Sequence, residues 1–132
     1  MSTLTTLMQI SSEDLFPTPV DFTVSNDNTV DGNYSGFNTY NIGATPTQLN
    51  ITTFTATGTN ALYSYFAIGT ASATGVFIGY ENQNPFLALS PGDFAFFPLG
   101  QGTGATAMSD ITAYSFGGST SVPLTYFFGE KN

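Results

Sequence analysis

The side chains that most often carry enzyme chemistry are scarce in this sequence. Its 132 residues include no histidine and no cysteine. Ser-His-Asp and Cys-His arrangements therefore cannot be assembled within the chain, and zinc sites that use histidine or thiolate ligands are excluded for the same reason. We predict no catalytic residue, no cofactor-binding residue, no cofactor and no metal site, and we interpret the chain as not an enzyme.

Carboxylates are the remaining candidates for acid–base chemistry. Paired carboxylates hydrolyse glycosides, and the pairs worth considering are Glu13 with Asp14 and Asp21 with Glu81. A chain of this length leaves little material for a deep glycosidase cleft. We therefore favour solvated surface acids over a catalytic pair.

The segment from Asp27 to Gly32 partly resembles a calcium-binding loop. It reads Asp-Asn-Thr-Val-Asp-Gly, and its acidic and glycine positions match D-x-[DN]-x-[DN]-G. Thr29 departs from the motif, and Asn38 stands where the bidentate glutamate belongs. Because Asn, Asp and Gly also favour turns for backbone reasons, we interpret residues 25–33 as a turn-rich loop.

The charge balance limits the choice of partner. Nine carboxylates face a single cation, Lys131, and the net charge is −8. Nucleic-acid affinity rests mainly on Lys and Arg, and anionic membranes also attract basic segments. No run approaches the roughly 18 apolar residues of a membrane span. We predict a soluble chain made in a cytoplasm, with no nucleic acid and no membrane as partner.

Short strands are the elements that would carry any binding surface of this chain. Runs of β-branched and aromatic residues alternate with clusters of Gly, Pro and Asn, and helical periodicity is nearly absent. This pattern predicts an all-β fold, a single β-sandwich that is jelly-roll-like or immunoglobulin-like, with an N-terminal extension. The expected strands are 20–24, 37–42, 48–56, 61–68, 76–80, 86–89, 94–99, 105–108, 111–116 and 124–128.

The strongest local signal is the tetrapeptide Ser90-Pro91-Gly92-Asp93. Proline in the second position and glycine in the third specify a type II turn, because glycine readily takes the positive φ required there. We expect this turn to join two neighbouring strands that pair with each other.

The first 16 residues differ from the rest, and we divide the chain into an N-terminal arm or edge segment, 1–16, and a sandwich domain, 17–132. Pro17 and Pro19 favour an extended connector between the two. Residues 11–14 could cap a single helical turn. Two interpretations stay open: the segment is the first edge strand of its own domain, or it is an arm that contacts another chain.

Aromatic residues of two predicted strands, 94–99 and 124–128, exceed what one buried face can hold. They occupy both strand parities, so we expect each to be buried by the core or by a partner. Together with apolar residues of the N-terminal segment they form the predicted interface: Leu4, Met8, Ile10, Phe94, Phe96, Phe97, Tyr126, Phe127 and Phe128.

The chain resembles the small β-rich virion proteins of tailed bacteriophages, above all capsid decoration (cement) proteins. The resemblance lies in an acidic, Thr/Gly/Phe-rich chain without Cys or His, in its N-terminal Ser/Thr segment, and in the strand–PGD–strand stretch from Leu87 to Leu99. It implies a non-catalytic protein, often trimeric, on the outer capsid surface, where it clamps neighbouring subunits of the major capsid protein after assembly in the host bacterial cytoplasm.

Two alternatives belong to other classes. One is a tail or head-fibre module that recognises host glycans or another receptor, since tyrosine with asparagine can stack on sugars and hydrogen-bond to them. The other is a tail-tube or adaptor component. Carbohydrate binding in solution would favour the first alternative, and stoichiometric binding to mature heads would favour a decoration protein.

Overall fold

The computed structural model describes residues 2–14, 17–34, 37–49, 62–81, 83–99, 111–117 and 121–131. This part of the chain is all-β and contains no helix, which confirms the predicted fold class. Its strands are β1 (Ser2–Ser12), β2 (Val20–Tyr34), β3 (Asn38–Ile42), β4 (Thr47–Gln48), β5 (Leu62–Ile68), β6 (Val76–Tyr80), β7 (Pro85–Leu89), β8 (Phe94–Leu99), β9 (Ile111–Ser115) and β10 (Val122–Lys131).

The strands form two antiparallel sheets. The first sheet has the order β1-β2-β10-β5-β8, and β3 pairs with β10 on the same side as β2. The second sheet has the order β4-β9-β6-β7. Strands β5 and β6 each lie between two neighbours, as expected for runs that are apolar on both faces.

The pairing of the eight strands β3 to β10 is that of a jelly roll. The first four strands pair in reverse order with the last four: β3 with β10, β4 with β9, β5 with β8 and β6 with β7. The two halves of the chain therefore run side by side and wrap across both sheets. An immunoglobulin sandwich would instead place strands ABED in one sheet and CFG in the other, so the topology decides between the two expected sandwiches.

The core lies between the two sheets. Side chains alternate along each strand, so one face of each sheet is buried and the other faces outward. The buried cluster draws on both sheets, and none of the side chains of β1 and β2 whose burial is described belongs to it. Its members are Ile42, Leu49, Phe66, Ile68, Val76, Ile78, Leu89, Leu99, Ile111, Ala113, Val122, Leu124, Tyr126 and Phe128.

The Pro91-Gly92 turn forms, but it does not join paired strands. The Asp93 amide donates to the Ser90 carbonyl at 2.9 Å, and Gly92 has a φ of 89°. However, β7 belongs to the second sheet and β8 to the first. The prediction of a hairpin here was wrong, because a tight turn fixes only the reversal of the chain, and the chain crosses from one layer to the other.

Two other local predictions are also corrected. Residues 25–33, interpreted as a turn-rich loop, continue β2, because β1 supplies a paired neighbour along residues 20–30. The suggested helical turn at 11–14 does not form: β1 runs to Ser12 and residues 13 and 14 make a bend. The expected strand at 105–108 and most of that at 48–56 lie outside the described residues.

Candidate functional site

The N-terminal segment forms a two-faced hairpin with the strand that follows it. Strands β1 and β2 pair without a register shift from Ser2 opposite Val30 to Ser12 opposite Val20. Because side chains alternate with a period of two, the apolar residues of both strands, with the exception of Leu7, fall on one side. This hairpin apolar face consists of Leu4, Met8, Ile10, Phe22 and Val24.

Most of the hairpin apolar face is uncovered by the rest of the described chain. Ile10 is 53% exposed and Phe22 is 50% exposed, and the two lie opposite each other. Met8 and Val24 form the next pair on this face and are also exposed. Leu4 is half-buried. Exposed apolar patches of this kind are typical of surfaces that bind another molecule.

The opposite face of the hairpin is polar and holds its charges. Thr5 Oγ1 donates to Asp27 Oδ1 at 2.7 Å, and Gln9 Nε2 donates to Asp21 Oδ1 at 3.3 Å. The carboxylates are thereby tied to neutral donors on β1 and kept off the hairpin apolar face. Leu7 is the exception on this side, a 70% exposed apolar residue among polar ones.

A second apolar surface covers the outward side of the first sheet. Tyr65 lies between Phe127 and Phe96 in the strand register, so the three rings share one face. Phe37 stacks on Phe127 with ring centroids 5.1 Å apart and meets Tyr65 edge-on at 5.8 Å. With Phe94, two residues from Phe96 on β8, these rings form what we call the aromatic face.

The hairpin and the aromatic face border one groove of about 690 Å³. Such a volume falls in the range of ligand-binding clefts. The hydroxyl of Thr6 donates to the Asn26 carbonyl within the hairpin, so part of the polar lining is already bonded. None of the described residues that line the groove is charged. They are Leu4, Thr5, Thr6, Leu7, Met8, Val24, Asn26, Phe37, Tyr65, Phe94, Ala95, Phe96 and Phe127.

The residues predicted for an interface divide into two groups. Phe128 and Tyr126 belong to the core, Phe127 is buried beneath Phe37, and Phe97 packs against the core from the edge strand β8. These four side chains are therefore covered by other residues of their own chain. The others stay at the surface or line the groove: Leu4, Met8, Ile10, Phe94 and Phe96.

Several members of the site were not predicted from the sequence. Phe22 and Val24 were predicted only as part of a strand at 20–24, and Phe37 only as the start of a strand at 37–42. Apolar and polar residues alternate in β1 and in residues 20–24. This alternation could have identified the hairpin apolar face only once the two strands were known to pair in this register. The place of Tyr65 in the aromatic face could not be predicted from its neighbours in the sequence, because it depends on the register between β5 and β10.

The outward side of the second sheet carries a smaller aromatic cluster, also missed. Phe77 lies 5.3 Å from Tyr114 and 4.3 Å from Phe116, measured between ring centroids. Gly75 makes room for this cluster, because a Cβ there would overlap the Phe116 ring and the Leu89 carbonyl oxygen. The cluster packs within itself and borders no described groove.

The titratable groups of the described chain do not converge. Asp21 lies in the hairpin, whereas Glu81 follows β6 in the other sheet, and no group of three or more His, Cys, Asp or Glu is placed to hold a metal among the described residues. Asp27 and its neighbours lie in an extended strand instead of a loop. Burial raises the pKa of the Tyr80 phenol above its ordinary value.

Comparison with known protein families, with curated proteins and with solved structures finds no match to this chain. Among the described residues no helix is long and apolar enough to cross a membrane.

Proposed function

We propose that the chain is a non-enzymatic virion structural protein, a capsid decoration (cement) protein that binds neighbouring major capsid subunits and stabilises the head. One observation carries the proposal: the hairpin apolar face is exposed and lies outside the core of its own chain. A sheet face of this kind is maintained for contact with another macromolecule.

Cementing requires contact area and shape instead of reactive groups. The groove and the hairpin apolar face together offer an uncharged surface, and uncharged surfaces lose water at a lower free-energy cost than charged ones. We propose that a segment of the major capsid protein enters the groove and that the outer part of the hairpin, with Ile10 and Phe22, extends the contact onto the shell.

The fold and the charge support this assignment. Jelly rolls recur in viral capsid and lectin domains, although a fold does not fix a function. The net charge of −8 favours encounter with a basic or mixed-charge surface. In this proposal the protein is assembled in the host bacterial cytoplasm, sits on the outer capsid surface of a tailed bacteriophage and forms a homotrimer there.

A glycan or receptor site in the groove is the second candidate, and the exposed rings of Phe94 and Phe96 favour it. Aromatic rings stack on sugars, but recognition also needs free polar groups to fix the orientation of a ligand. The hydroxyls of Thr5 and Thr6 are both engaged as donors inside the hairpin. We therefore rank attachment to a protein shell above sugar binding.

The test is direct binding to capsid shells. Purified protein is mixed with matured heads of the phage that encodes the chain, from a strain that lacks it, and the bound fraction is measured by sedimentation and electron microscopy. The proposal predicts saturable binding at a fixed ratio to major capsid subunits, and no binding on a glycan array. Saturable binding to a defined glycan without binding to heads would overturn it in favour of the second candidate.

A further inference from the structure

Among the described residues, no strand pairs with the outer edge of β1. Outermost strands usually carry charges, prolines or irregularities, or are very short, which prevents pairing with other chains. The other outer strands of the described chain follow this rule: β3 has five residues, β4 has two, β7 begins with Pro85 and β8 contains Pro98. In contrast, β1 has eleven residues, no charge, no proline and no register shift.

The hairpin also has too few strands to be stable by itself. A two-stranded ribbon is marginally stable in water, and three or more strands with a covered apolar face are needed. Among the described residues, strand β2 pairs with the sandwich through its last residues, at Val30 and Tyr34 opposite β10. The part of the hairpin beyond this junction therefore gains most from an additional strand at its free edge.

We propose that β1 pairs antiparallel with β1 of a second copy of this chain, across a twofold axis normal to the sheet. Such an axis leaves every residue on its own face of the sheet. The apolar face of one hairpin therefore continues into that of the other, whichever residue lies on the axis. The result is a four-stranded sheet in the order β2-β1-β1-β2 with one continuous apolar side.

The distribution of charge permits this contact between two acidic copies. Strand β1 bears no charged side chain, and the nearest strand-borne carboxylates, Asp21 and Asp27, lie on β2. Three strand spacings separate the two β2 strands, or about 14 Å. This exceeds the Debye length of about 8 Å at physiological ionic strength, so repulsion between these carboxylates is largely screened.

The pairing goes beyond the proposed function and does not depend on it. A twofold contact differs from the threefold contact of a trimer, and on a shell it would join neighbouring trimers. It would also double the apolar surface that each contact presents to the shell.

The test is cysteine cross-linking. Because the natural sequence has no cysteine, any disulfide must form between the introduced residues. Single substitutions are made along β1 from Thr3→Cys to Ser11→Cys, and the full-length variants are oxidised and resolved on a non-reducing denaturing gel. Tyr40→Cys is the matched control, since Tyr40 is 48% exposed on the outer strand β3 and lies away from the groove that β1 borders. A denaturing gel reports the covalent pair whatever the state of any trimer.

The proposal predicts a single maximum of disulfide-linked dimer along β1. Equivalent residues of the two copies separate by about 7 Å for each residue of distance from the axis. We therefore expect about tenfold slower cross-linking two residues away and no excess at Tyr40→Cys. Uniform cross-linking along β1, or none above the control, would overturn it. Amide exchange gives a second readout: every other β1 amide gains protection as protein concentration rises, and protection that is independent of concentration contradicts the pairing.

Discussion

Two buried serines on opposite sheets provide a matched pair at the residue scale. Ser64 Oγ donates to the Phe97 carbonyl at 2.6 Å, whereas Ser115 Oγ has no hydrogen-bond partner in the described part of the chain. We expect Ser64→Ala to lower the free energy of unfolding by about 1 kcal/mol, because it leaves a carbonyl without its donor. Ser115→Ala should leave stability unchanged or raise it. Chemical denaturation measures both, and equal losses would contradict the assignment.

Gly92 is the residue whose backbone most restricts substitution. Its φ of 89° is unfavourable for any residue with a Cβ, and a Cβ there would lie 3.0 Å from Thr70 Cγ2. We expect Gly92→Ala to lower the free energy of unfolding by about 1–2 kcal/mol. The control is Gly69→Ala, where no atom lies within 4 Å of the added Cβ. Equal melting temperatures for the two variants would show that the turn has been misassigned.

This glycine could be identified from the sequence, but the serines could not. A type II turn depends on four consecutive residues, so Ser-Pro-Gly-Asp reveals it without any tertiary information. The state of the Ser64 hydroxyl depends on the register between β5 and β8, which are far apart along the chain. No local pattern contains that register.

At the scale of elements, the hairpin is separable from the core. The buried cluster begins at Ile42, so deletion of residues 2–16 should leave a cooperatively folding sandwich that binds capsid shells weakly. A core change such as Leu124→Ala should instead cost about 2–5 kcal/mol. Thermal unfolding followed by circular dichroism compares the two. A deletion variant that fails to fold would assign β1 to the core and end the arm interpretation.

Strands could be predicted where their own residues favour the strand conformation. They could not be predicted where pairing with a neighbouring strand imposes that conformation. The segments that became β5, β6, β8 and β9 were identified within one or two residues, because β-branched and aromatic residues fill them. Residues 25–33 are rich in Asn, Asp and Gly and indicated a loop. They extend β2 because β1 and then the end of β10 pair with them, an effect of tertiary structure that overrides local propensity.

At the scale of the whole molecule, the order in which the strands pair could not be predicted from the sequence. Jelly-roll pairing joins β3 to β10 and β4 to β9, contacts between opposite ends of the domain. Local signals could limit the fold to a sandwich, but they could not select the partner of each strand. The hairpin at Pro91-Gly92 was mispredicted for this reason, and the aromatic face escaped notice because only the paired register brings Phe96, Tyr65 and Phe127 together.

We propose that the hairpin apolar face makes the contact with the shell. Phe22 and Thr23 are adjacent in β2, both exposed, and on opposite faces of the hairpin. We predict that Phe22→Asp weakens binding to capsid shells at least tenfold, or by about 1.4 kcal/mol, because docking would bury an ionised carboxylate. Thr23→Asp adds the same charge on the other face and should bind like the natural protein.

Co-sedimentation of the two variants with purified shells over a range of concentrations measures both affinities, with circular dichroism as the check that each variant is folded. We expect a large loss of affinity for Phe22→Asp alone. Equal binding of the two folded variants, or a loss confined to Thr23→Asp, would contradict it.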